Sequence, residues 1–299
     1  MGTFLSSAVI LLGVCLPRLA GAQSPSLGAD PPGELTVRNV VFGHQAGMAL
    51  TFDVFKPSHP TGAGIISIVS GGYGSGWVDP EEERVQYGSM LEAGFVVFAV
   101  RHGNPPRYRV PDLVDQVALA TRYVRRRAAE WGVDPDRLGI TGGSSGGHLA
   151  LAVALAGDDG DPMAEDPILR SSSRVAAVVA FAPPSDLREE WGQDVHPAFD
   201  FPEEELARMS PVLNVSPDDP PTLIVHGTAD PRVPVDESRR LVEALSSVGV
   251  TSELVALEGA PHTFWTRVPY AVPIPLTDEQ ILQAHDVRVR WFEVHLVRR

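Results

Sequence analysis

The segment Leu138-Gly139-Ile140-Thr141-Gly142-Gly143-Ser144-Ser145-Gly146-Gly147 passes from an apolar run into a glycine–serine cluster, and the helix formers Leu149 to Leu155 follow it. The order implied is strand, sharp turn, helix, and the G-x-S-x-G pattern inside the turn is that of a nucleophile elbow. A serine held there exposes its hydroxyl, while the amides and dipole at the start of the next helix face the place where negative charge develops. The pattern fits two registers. Gly142 to Gly146 makes Ser144 the nucleophile, and Gly143 to Gly147 makes it Ser145. Ser144 is preferred, because the residue three positions on is then Gly147, small enough for close helix–strand packing, and not His148. A phosphate-binding loop is the competing reading, but no lysine follows the glycines.

A serine nucleophile needs a base, and the base needs an acid to orient it. In the fold that carries a nucleophile elbow, the acid and then the base follow the serine in sequence. His226, His262, His285 and His295 are the histidines in range. His285 and His295 fall on an expected closing helix, and His226 precedes its nearest acid. His262, in Gly259-Ala260-Pro261-His262-Thr263-Phe264, lies in a turn directly after an expected strand, where a base should hang. Asp230 lies in the turn after the preceding strand, with an Asx turn before Pro231 as its plain structural alternative. A surface turn is the corresponding alternative for His262. Asp236 reads as a helix N-cap with Arg239 nearby.

The loop Ser70-Gly71-Gly72-Tyr73-Gly74-Ser75-Gly76-Trp77 follows another strand and is the expected source of an oxyanion hole. The amides of Gly72 and Tyr73, with that of Ser145, are the expected donors; losing one such donor costs roughly 3–4 kcal/mol in transition-state stabilisation. A plain turn at Gly71-Gly72 is the alternative. Trp77, and Trp191 further on, are candidate linings of a substrate pocket.

The elements that must position these residues read as follows. Glu34 to Phe42 and Met48 to Phe55 alternate like the arms of a hairpin around His44 to Gly47. Gly64 to Val69, Phe95 to Val100, Val175 to Phe181, Thr222 to Val225 and Thr251 to Leu257 are apolar runs suited to buried strands. Between them, helical patterns cover Glu82 to Glu92, Pro111 to Trp131, Asp236 to Val248 and Asp278 to Val297. Alternation of this kind predicts an α/β fold with a parallel sheet wrapped on both faces. Residues 183–221 lack a clear period and are expected to form a lid-like excursion over the active face, with one short helix near Glu203 to Met209.

The net charge of −14 and the lack of a basic block argue against a nucleic-acid partner. No His, Asp or Glu cluster has metal-ligand spacing, and no cofactor is expected. Phe4 to Leu16 is apolar, too short for a membrane span, and Ala20-Gly21-Ala22 offers a cleavage site. Residues 1–22 therefore read as a signal peptide, which implies a secreted or periplasmic protein, with a buried N-terminal helix or an uncleaved anchor as the alternative; 23–33 reads as a flexible linker and 34–299 as one catalytic domain. Cys15, the single cysteine, lies in the leader, so the remainder holds no disulfide.

Gly142 to Ala150, Gly227 to Pro234 and Gly259 to Phe264 resemble the corresponding segments of the α/β-hydrolase esterase and lipase family. The subgroup of feruloyl and acetylxylan esterase-like proteins, next to the hormone-sensitive-lipase-like esterases, is the most similar. The resemblance runs from about Glu34 to the C-terminus. It implies an α/β-hydrolase fold: a mostly parallel central sheet of about eight strands, helices on both faces and a partial lid. It further implies Ser144 as nucleophile, Asp230 as acid, His262 as base, and a small-molecule or polysaccharide-linked ester as substrate. The family's His-Gly-Gly-Gly loop is here Ser70-Gly71-Gly72-Tyr73, without the bracing histidine. The same elbow and spacing also resemble the prolyl-oligopeptidase catalytic domain, which makes a peptidase or amidase the second reading.

Overall fold

Eight strands form one sheet in the order β1-β2-β4-β3-β5-β6-β7-β8. They are β1 (Glu34–Gln45), β2 (Met48–Lys56), β3 (Gly64–Val69), β4 (Val96–Arg101), β5 (Leu138–Gly143), β6 (Ala177–Phe181), β7 (Thr222–Gly227) and β8 (Ser252–Leu257). The computed structural model describes residues 34–188, 197–202, 204–265 and 278–298. The expected leader and linker, Trp191 and part of the 183–221 excursion therefore lie outside the described residues.

The expected hairpin forms from β1 and β2, tighter than the sequence suggests. Gln45 pairs with Met48, and Ala46 and Gly47 turn the chain with φ of 47° and 78°, the two positive values a type I′ turn requires. β2 also pairs antiparallel with β4. From β4 through β3 and β5 to β8 every pairing is parallel. The crossovers between parallel strands are helical: α1 (Pro80–Glu92), α2 (Val110–Arg126), α3 (Ser145–Leu155) and α5 (Val235–Ser247). A short α4 (Glu204–Arg208) lies in the excursion, and α6 (Asp278–Phe292) closes the described chain.

Strand side chains alternate between two apolar layers, as the period of two demands. Ile66, Phe98, Ile140, Val178 and Ile224 pack with Leu113, Val117 and Val124 of α2, Leu149 and Val153 of α3, and Leu241 and Leu245 of α5. Ile65, Val97, Val179 and Leu223 pack with Tyr87, Met90 and Leu91 of α1 and with Ala284 and Phe292 of α6. Both faces of the central strands are thus dry, which is why they read as near-continuous apolar runs. Helix α1 begins where the Asp79 side chain accepts from the Glu81 amide (2.9 Å) and Pro80 supplies the first helical φ. Helix α5 begins one residue earlier than expected: Pro234 holds the cap position, and Asp236 lies in the first turn, 2.6 Å from Arg239. The parallel strands end on one edge of the sheet, and the loops leaving β3, β5, β7 and β8 carry the candidate site residues.

Candidate active site

Ser144 sits between β5 and α3 with φ 54° and ψ −124°, a conformation costly for any residue with a Cβ. Its amide donates to Phe181 O (2.8 Å), and its carbonyl accepts from His148 N (2.9 Å). The bend is so tight that a Cβ on Gly142 would come within 2.4 Å of the Gly146 backbone. One on Gly147 would meet Gly142 O at 3.1 Å and Phe181 O at 3.2 Å, the close packing that favours the Ser144 register.

Ser144 Oγ lies 2.8 Å from His262 Nε2, and His262 Nδ1 lies 2.6 Å from Asp230 Oδ2. An ionised carboxylate only accepts, so Nδ1 carries the proton; the neutral imidazole then accepts the serine hydroxyl at Nε2. Ser145 is buried, and its hydroxyl instead lies 3.0 Å from Ser70 Oγ. The two loops bearing Asp230 and His262 are tied together: Thr228 N donates to Leu257 O (2.9 Å) and Ala229 N to Ala260 O (3.1 Å).

Asp230 is an Asx-turn residue as well as a partner of His262. Its Oδ1 accepts from the amides of Arg232 (2.8 Å) and Val233 (3.0 Å). Its Oδ2 accepts from His262 and, at 3.2 Å, from His226 Nε2. Burial alone would raise its pKa, but the bonds from His226 and His262 and the attraction of the His262 ring outweigh burial and hold it well below the ordinary carboxylate range. His226, which precedes its acid in sequence, is not the base but a second partner of the Asp230 carboxylate.

The loop after β3 turns at Gly71 to Gly74, whose backbones exchange two hydrogen bonds of 2.9 and 3.0 Å. Gly72 and Tyr73 both have positive φ, 54° and 58°. Gly72 lines the cavity at Ser144, whereas the Tyr73 ring is buried against His148 (5.6 Å) and Phe199 (5.3 Å). Ser70, standing where the resembling family has histidine, hydrogen-bonds the residue after Ser144 and so joins this loop to the elbow. Asn104 grips the loop's far end through the Ser75 amide and carbonyl.

The cavity at Ser144 encloses about 390 Å³ and is also lined by Ser67, Thr141, Phe181, His262, Trp265 and the buried Glu83, Tyr87 and Arg288. Trp77 is 68% exposed and lies outside this lining. Trp265 takes the place expected of Trp77, its ring edge-on to His262 at 5.5 Å and stacked on Phe181 at 6.0 Å. The spacing His262-x-x-Trp265 is the only sequence cue that could have found it. None of the described residues of the 183–221 excursion lines this cavity. They pack instead behind α3, where His148 Nε2 donates to Met209 O (2.7 Å). Among the described residues no group of three or more His, Cys, Asp or Glu is arranged to hold a metal ion.

The family model described as BD-FAE matches residues 52–245. Over 171 residues the chain is 32% identical to the probable carboxylic ester hydrolase LipM of Mycobacterium tuberculosis, covering 53% of this chain and 39% of that protein. It is 27% identical over 286 residues to esterase LipC of the same organism, covering 86% of this chain and 69% of LipC. The apo structure of Thermogutta terrifontis esterase 2 is similar with a TM-score of 0.69 at 29% identity, covering 90% of this chain and 97% of that one. The chain spans half or less of the length of several curated relatives it matches.

Proposed function

The chain belongs to the BD-FAE family and has the α/β-hydrolase fold, and on that footing we propose that it is a serine carboxylic ester hydrolase acting through Ser144, His262 and Asp230. The observation that carries this reading is the continuous hydrogen-bond path from Ser144 Oγ through both His262 nitrogens to Asp230 Oδ2. His262 takes the Ser144 proton as the hydroxyl oxygen attacks the ester carbonyl. Backbone amides of Gly72, Tyr73 and Ser145 hold the oxyanion, and Asp230 steadies the imidazolium. The alcohol leaves with the proton from His262, and water repeats the cycle on the acyl-enzyme. A cavity of about 390 Å³ suits a short-chain or small-alcohol ester. Acetyl and feruloyl esters of plant polysaccharide are the class to screen.

The test is hydrolysis of p-nitrophenyl acetate by the Ser144→Ala and Ser145→Ala variants. Loss of kcat by roughly 10⁵–10⁶ on removing the Ser144 hydroxyl is expected. Unchanged turnover in Ser144→Ala overturns the proposal, and a collapse confined to Ser145→Ala moves the nucleophile by one residue. Faster cleavage of aminoacyl anilides than of esters makes the enzyme a peptidase or amidase.

A further inference from the structure

Helix α6 buries Ile281, Ala284, Arg288 and Phe292 along one stripe. Spacing of 3, 4 and 4 residues is that of a core-facing helix side, and at Arg288 it carries a guanidinium where an aliphatic chain would be expected. Arg288 is 6% exposed. Its Nε has no hydrogen-bond partner, and among the described residues the group's one hydrogen bond is a long one from Nη2 to Ser89 Oγ at 3.3 Å. Among the described residues no carboxylate pairs with it. Burial pulls its pKa down to about 10, which still leaves it charged at neutral pH. A buried, unpaired cation is costly unless something pairs with it.

Arg288 lines the same cavity as Ser144 and His262. Its guanidinium carbon lies 5.6 Å from the Phe181 ring, and Phe181 O accepts the Ser144 amide at 2.8 Å. One residue thus separates the serine from the cation. Tyr87 and Ser67 line the wall beside it as neutral hydroxyls, since burial pushes the Tyr87 phenol well above its ordinary pKa. Glu83, the one carboxylate among the described residues lining this cavity, is engaged elsewhere: its Oε2 accepts from Arg101 Nη2 at 2.6 Å.

We propose that the part of this cavity lined by Arg288 is an anion subsite, in which Arg288 pairs with a carboxylate carried by the ester substrate. The proposal rests on the ester-hydrolase reading and narrows it: the preferred esters carry a negative charge on one arm, against the repulsion of a protein whose net charge is −14. A planar guanidinium matches a carboxylate in two-point geometry.

The test compares kcat/KM for mono-4-nitrophenyl glutarate with that for 4-nitrophenyl butyrate, and for O-acetyl-3-hydroxybutyrate with that for butyl acetate, placing the charge on the acyl or the alcohol side. The wild type is expected to prefer the charged member of one pair by tenfold or more. Arg288→Met removes that preference, and Arg288→Lys keeps part of it. Equal preference ratios in wild type and Arg288→Met overturn the subsite, while hydrolysis of the neutral esters leaves the esterase reading standing. Should no ester be cleaved, titration of glutarate into the Ser144→Ala protein still decides. Heat of binding that disappears on adding Arg288→Met supports the subsite, and no heat in either protein overturns it. Should Arg288→Met fail to fold, the Arg288→Lys ratio serves: a preference identical to that of the wild type for both pairs refutes two-point pairing.

Discussion

His226 Nε2 lies 3.2 Å from Asp230 Oδ2, the oxygen that His262 also engages. Nε2 faces a second acceptor, Val233 O, at 3.0 Å, so it carries the proton, and Nδ1 accepts from the Ser238 hydroxyl at 2.6 Å. His226 therefore orients the carboxylate from below and touches no reacting atom. Hydrogen bonds to charged groups contribute roughly 1.5–3 kcal/mol. His226→Ala is expected to lower kcat by about tenfold or more with little change in KM, whereas His226→Gln, which keeps a donor, recovers part of the loss. Steady-state kinetics on p-nitrophenyl acetate check this, and a change confined to KM would contradict it.

The Ser70–Ser145 contact makes a second prediction. The hydroxyls are 3.0 Å apart, and the bond joins the loop carrying Gly72 to the first residue of α3. Ser70→Ala leaves the fold intact but loosens the loop against the elbow, so kcat should fall several-fold to tenfold, in line with the loss of one hydrogen bond of about 1 kcal/mol. Ser70→His, which puts a ring where the hydroxyl stands, tests whether the small side chain is required. Melting temperature measured beside kcat separates the two effects.

Gly142 and Gly76 form a matched pair for steric tests. A Cβ at Gly142 would sit 2.4 Å from Gly146 carbonyl carbon and oxygen, both backbone atoms that cannot swing aside, whereas a Cβ at Gly76 meets nothing within 4 Å. Gly142→Ala should cost about 1–3 kcal/mol of stability and most of the activity, because relief requires opening the elbow that holds Ser144. Gly76→Ala should change neither by a measurable amount. Urea unfolding and esterase assays on the two variants provide the check.

Which of these relationships could be read from the sequence depends on how local their cause is. Strands such as Gly64–Val69 and Ala177–Phe181 were legible because burial on both faces forces an uninterrupted apolar run between turn residues. Ser144, Asp230 and His262 were legible because each lies in a turn just past such a run, and parallel strands bring those turns to one edge. Arg288 and Tyr87 were not, since helical periodicity marks a buried face without saying which cavity it borders. Trp77 follows a glycine-rich loop and was expected in the pocket, yet it faces solvent while Trp265 takes the cavity wall. Tyr73 was expected to offer its amide to the hole. Its positive φ and buried ring show what its side chain does: it pins the loop onto His148, a contact between distant segments that no local pattern encodes.

Buried titratable groups outside the hydrogen-bond path of Ser144, His262 and Asp230 set how stability varies with pH. Burial lowers the pKa of His148 to about 4, partly opposed by its bond to Met209 O. Burial does the same to His102, opposed by Gly103 O. With folded values below the ordinary 6.5, the unfolded chain binds protons first. Stability from these rings is full above pH 6.5 and declines as pH falls toward 4, by on the order of 3 kcal/mol each. Glu83 works in the opposite sense. Burial raises its carboxyl to about 7 against the pull of Arg101, so the folded state holds that proton and stability declines as pH rises from 4.5 to 7. This offsets part of the acid sensitivity that the two histidines supply. Asp230, with its lowered pKa, contributes only below this window. His148→Gln should therefore flatten the difference in unfolding free energy between pH 7 and pH 4.5, and Glu83→Gln should steepen it. Denaturant titrations of the three proteins at both pH values read the two slopes, and a change of the same sign in both variants would show that the sensitivity lies elsewhere.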